Sequence, residues 1–149
     1  MRAGGLLVAA ALAAVAVPAV AGERLPRTNY ILRCSGCHGM DGAGSDIGGI
    51  PDFRGYVGGF ARHDEGRTYV MHVPGVVNAS LTDSEIAGVV NYVMTTYGAD
   101  SLPAAFVPFT AEEVTRRRAL TVMDVVGLRR GVAARLYAEG VPTAGYPWP

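Results

Sequence analysis

The chain has 149 residues, 50% hydrophobic and 17% charged, and its 13 basic residues balance its 13 acidic ones. That length suits one domain with a modest core plus an extension, and the charge balance supplies no polybasic surface for nucleic acid. All the basic residues are arginine, and residues 22–109 carry a net charge of −3 against +2 for residues 110–149.

The N-terminal segment reads as an export signal. Met1 and Arg2 give a short positive start, Gly5 to Val17 is an almost unbroken apolar run, and Pro18 ends it. Ala19, Val20 and Ala21 match the small-x-small pattern that signal peptidase cuts. The apolar run is shorter than the roughly 20 residues needed to cross a bilayer. Residues 1–21 are therefore expected to be a signal peptide, leaving a periplasmic protein that begins near Gly22. An uncleaved anchor is the alternative.

Thr28 or Asn29 is expected to cap a short helix through Tyr30, Ile31 and Leu32 that runs into Cys34, Ser35, Gly36, Cys37 and His38. C-x-x-C-H is the attachment signature of c-type haem. Each thiol adds to one porphyrin vinyl group, and the adjacent histidine can ligate the iron. The chain's two cysteines both lie inside the motif. That leaves no other disulfide pair and too few thiols for a four-cysteine zinc site. A bare C-x-x-C redox motif would normally follow a strand in a βαβ pattern, and no strand pattern is legible here. One covalent haem c is expected.

From Gly36 to Gly59 there are nine glycines and few apolar positions, so this stretch reads as loop. A short helix is expected over Gly66 to His72. Thr82, Asp83, Ser84 and Glu85 form a capping box opening a helix in which Ile86, Val89, Val90, Val93 and Tyr97 keep helical spacing until Gly98. Ser101 to Pro108 reads as a proline-punctuated linker lying across the preceding domain. Thr110 to Glu113 forms a second capping box, opening a helix that ends in Arg116, Arg117 and Arg118. A further helix is expected from about Thr121 to Glu139, interrupted by Gly127 and Gly131. The arginines of this tail read as a solvated face or a docking face, and Trp148 as a terminal anchor. The fold class is all-α: a haem domain over residues 22–98, then a linker and helical extension over 99–149.

This order resembles a class I cytochrome c across Arg27 to Gly98, carried by the Cys34 to His38 motif, the glycine loop and the Thr82 helix. The resemblance implies that the first and last helices of the haem domain cross, with Tyr92 packed at the crossing. It also implies cofactor-binding residues Cys34, Cys37 and His38, with a methionine opposite His38 on the iron. Met71 is the candidate, 11 residues before Thr82 and close to Pro74; His72 is second, and an open sixth position third. Met94 reads as core, Met40 as too near the motif, and His63 as surface.

Two functional classes stay open. One is a carrier of single electrons between redox proteins (a dehydrogenase, an oxidase or another cytochrome), with no catalytic residue and no small-molecule substrate. It could serve as the cytochrome subunit of a dehydrogenase complex or associate with a membrane surface. The other is a haem protein with an open or His-ligated distal site, acting as a peroxidase or gas binder through His72 and Arg67.

Overall fold

The computed structural model describes residues 22–145; the expected signal peptide and the Trp148 anchor lie outside the described residues. Among these residues there are seven α-helices and no strand, only a bridge between Ser45 and Ile50. The all-α expectation holds.

Helix α1 covers Pro26–Arg33. Its start differs from the expected Thr28 or Asn29 cap: Leu25 takes the N-cap and Pro26 opens the first turn. Proline is already set to a helical φ and lacks an N–H that would go unpaired there. Asn29 is fully buried inside the helix. Cys34 breaks the helical geometry, and α2, Ser35–His38, makes one further turn. The glycine loop follows, with a 3₁₀ turn at Val57–Ala61. Gly42 and Gly44 are required by geometry. Both have positive φ, and a Cβ on Gly42 would sit 2.9 Å from the Tyr97 ring, while one on Gly44 would collide with the Ile50 and Pro51 carbonyls.

Helix α3, Asp64–His72, starts earlier than expected, and a single turn, α4, spans Pro74–Val77. Helix α5, Asp83–Tyr97, has both halves of the expected capping box: Thr82 accepts from the Glu85 amide and Glu85 accepts from the Thr82 amide. Its apolar face packs on α1. There Tyr30 meets Tyr92 at 5.6 Å and Tyr97 at 5.5 Å between ring centroids, so two tyrosines share the place expected of Tyr92.

The chain beyond Gly98 is built into the same core. Phe109 and Val114 join Tyr30, Met71, Ile86 and Val90 in one buried cluster, with Leu102 and Phe106 packed against it. Asn91 of α5 fixes the linker by exchanging two hydrogen bonds with the Phe109 backbone, at 2.8 and 2.9 Å. Helix α6, Ala111–Arg118, packs on α3 and α5; helix α7, Val125–Ala138, packs on α3. Neither Gly127 nor Gly131 interrupts α7. A second cluster joins Val132, Leu136 and Val141 to Phe60 and Tyr69.

The tail arginines are not one solvated face. Arg117 is buried, bonding Glu113 at 2.7 Å, Asp64 at 2.6 Å and the Thr68 hydroxyl at 2.7 Å. Arg67 grips the same Glu113 through two bonds while its guanidinium lies 3.7 Å over the Phe109 ring. Thr110 caps α6 as expected, but the Glu113 carboxylate does not complete the box. Two guanidinium partners hold it more strongly than one backbone amide would.

Candidate haem-binding site

The α2 turn delivers Cys34, Cys37 and His38 to the rim of one cavity of about 510 Å³. Its walls are mainly apolar: Ile50, Pro51 and Phe53 from the glycine loop, Val70 and Val73 from α3 and its end, and Val89, Val90 and Val93 from α5. The His38 ring stacks on Phe53 at 3.8 Å, with 17° between the planes.

Burial pushes the His38 pKa down and so favours the neutral imidazole, while the Pro51 carbonyl beside the ring opposes that shift. Its Nδ1 is buried without a hydrogen-bond partner. Cys34 and Cys37 are free thiols, and burial, with Cys37 adding to it, pushes the Cys34 thiol up. A C-x-x-C pair built for disulfide exchange needs the opposite shift, towards thiolate. Two free thiols and an imidazole whose protonation burial disfavours, set on an apolar cavity, suit a large planar group that is itself apolar.

The chain matches no family model. Two curated relatives, both named cytochrome c-552 and both from Thermus thermophilus, are each 34% identical to it over 118 aligned residues. The match takes in 66% of this chain and 89% and 79% of the two relatives. The chain belongs to the class I c-type cytochromes. It is accordingly an electron carrier that binds haem c covalently.

The opposite wall of the cytochrome's cavity differs from what spacing implied. Met71 is 0% exposed, lies within the core cluster, and does not line the cavity. His72 is held elsewhere, with Nδ1 2.9 Å from the Thr68 carbonyl and Nε2 2.9 Å from the Leu120 carbonyl. Arg67 is engaged by Glu113, so the His72 and Arg67 pair named for peroxidase chemistry does not meet at the cavity. The arginine–glutamate pairing reaches 46 residues along the chain, beyond any local signal.

Met94 is the one methionine lining the cavity among the described residues. It is also the core residue that helical spacing predicted, 1% exposed. Val125, Val126 and Arg129 of α7 and Ala144 close another part of the wall. The sequence reading missed this, because nothing in the apolar spacing of α7 says what it will cover. His63 lies outside the cavity lining, paired with Glu139 at 2.8 Å.

Proposed function

We propose that this cytochrome carries one haem c, held by thioethers from Cys34 and Cys37 with His38 as the proximal iron ligand, and passes single electrons between redox proteins outside the cytoplasmic membrane. The observation carrying this reading is that both thiols and the half-buried imidazole open on one apolar cavity. When bound, the haem supplies a one-electron iron couple. The chain holds it covalently, keeps the His38 lone pair available by disfavouring protonation, and excludes water with valines from α3 and α5. A water-poor pocket lowers the rearrangement needed when the charge on the iron changes. The 1–21 signal supports a periplasmic location, and no helix among the described residues is long and apolar enough to cross a membrane. A dehydrogenase, an oxidase or another cytochrome would be the partner, with a permanent place in a dehydrogenase complex or association with a membrane surface as forms of that reading. Acidified organic solvent tests it: the haem should stay with the polypeptide, and full extraction would defeat the assignment.

The sixth position separates two versions of the site. Met71 is the sulfur donor of the carrier version, and in this structure it lies in the core cluster and not among the residues lining the cavity. An open sixth position that admits a small ligand is the second version. The absence of Met71 from the cavity lining is the observation that keeps the second version in view, and carbon monoxide binding to the reduced protein distinguishes them.

A further inference from the structure

We propose that Tyr92 is a one-electron oxidation site, joined to the His38 side of the haem by a ladder of aromatic rings, through which the reduced cytochrome consumes hydrogen peroxide. This inference rests on the haem reading above. The ladder starts at His38, whose ring stacks on Phe53 at 3.8 Å between centroids. Phe53 lies 6.3 Å from Tyr97, and Tyr97 lies 5.5 Å from Tyr30 and 6.3 Å from Tyr92. Tyr30 and Tyr92 are 5.6 Å apart, so the three phenols close a triangle. Tyr30 and Tyr97 are buried, whereas Tyr92 is half-buried and brings the ladder to solvent. Electron tunnelling weakens steeply with distance, and a run of neighbouring π faces keeps each step short.

The three phenols differ in what can become of their protons. Oxidising a phenol makes its proton strongly acidic, so something must take that proton as the electron leaves. The Tyr30 hydroxyl donates to the Gly39 carbonyl at 2.7 Å, and the Tyr97 hydroxyl to the Met40 carbonyl at 3.0 Å. A backbone carbonyl accepts a hydrogen bond but does not take up a proton. Burial also pushes both of these phenols up, away from deprotonation. Tyr30 and Tyr97 therefore relay charge, and the oxidised state rests on Tyr92, whose proton leaves to water. The step balances. Hydrogen peroxide takes two electrons and two protons as its O–O bond breaks, giving two waters. The ferrous haem supplies one electron and becomes ferric. Tyr92 supplies the other along Tyr97, Phe53 and His38, and its O–H bond breaks to leave a phenoxyl radical. The Tyr92 proton and one from solvent complete the waters. A later electron from the redox donor, with a proton from solvent, restores the phenol.

The test adds one equivalent of hydrogen peroxide to the reduced full-length holoprotein with a radical trap present, and locates the trap by peptide mass spectrometry. The trap should sit on Tyr92. Tyr137 is 85% exposed and stands outside the ladder, so solvent access alone would direct the trap there. Trap on Tyr137, or on the cavity-lining Tyr56 or Tyr69, with none on Tyr92, overturns the proposal. Freeze-quenched wild-type samples should show a tyrosyl signal by electron paramagnetic resonance, lost in Tyr92→Phe. That variant removes one hydroxyl from a half-buried ring and keeps the packing, and a signal of wild-type size in it overturns the assignment. Phe53→Leu takes away the ring between His38 and Tyr97 and should lower the Tyr92 adduct per bound haem; an unchanged yield overturns the route. Covalent haem missing from the wild-type protein would instead defeat the reading beneath it, so the two failures are distinguishable.

Discussion

At the scale of single residues, Met71 and the motif cysteines make different demands on the structure. Met71 is completely buried, so Met71→Ala should cost about 2–5 kcal/mol through a core cavity, measured by denaturant unfolding. If it is also the iron ligand, the same variant loses the far-red sulfur-to-iron band of the oxidised protein and binds carbon monoxide readily. Destabilisation with an unchanged spectrum assigns Met71 to the core alone. His72→Ala should alter the spectrum little, because both ring nitrogens lie against backbone carbonyls. Cys34→Ala or Cys37→Ala leaves at most one thioether and should sharply lower holoprotein yield, read as haem retained on a denaturing gel. A yield equal to wild type would contradict the assignment.

At the scale of elements, α5 owes its start to local chemistry and α6 owes its place to charge. Thr82→Ala removes the acceptor for the Glu85 amide and should cost about 1 kcal/mol in thermal unfolding. Glu113 joins Arg67 of α3 to Arg117 of α6, with all three side chains largely buried. Glu113→Gln should cost about 3–5 kcal/mol, since it leaves guanidinium charge without its carboxylate. The pH dependence has a defined sign. Arg67 holds the Glu113 carboxyl below its usual range, and Arg117 does the same for Asp64. Their stabilisation is fully present above the ordinary carboxylate values and is lost as pH falls through the lowered ones. Acid unfolding of the wild type should therefore steepen below about pH 4, and Glu113→Gln should flatten that limb. An acid limb identical in the two proteins would remove the pairing as its cause.

At the scale of the whole molecule, the segment after Gly98 closes the fold. Leu136 is 0% exposed in the cluster with Phe60 and Tyr69. Leu136→Ala should cost about 2–5 kcal/mol and loosen α7 over the cavity, speeding carbon monoxide entry into the reduced protein. Stability lost without any change in ligand entry would confine α7 to a structural part. Export is tested on the same scale. Intact mass should begin at Gly22 with one haem added, and a retained segment from Met1 to Ala21 would mean a tethered protein.

The features legible in the residues are those whose causes are local. The C-x-x-C-H spacing, the α5 capping box and the 3.6-residue period from Ile86 to Tyr97 each act within a few residues, and the folded chain carries them where they were read. The α1 start was misplaced because Thr28 and Asn29 are good caps in isolation, whereas burial of Asn29 and the preset φ of Pro26 outweigh that preference. Arg117 and Arg129 look like surface residues in the sequence because burial of an arginine depends on distant partners, here Asp64 and the Ala144 carbonyl. Sequence alone therefore determined the C-x-x-C-H spacing and the all-helical class. The tertiary structure decided which methionines face the cavity and that the C-terminal segment lines it, because both follow from the packing of helices far apart in the chain.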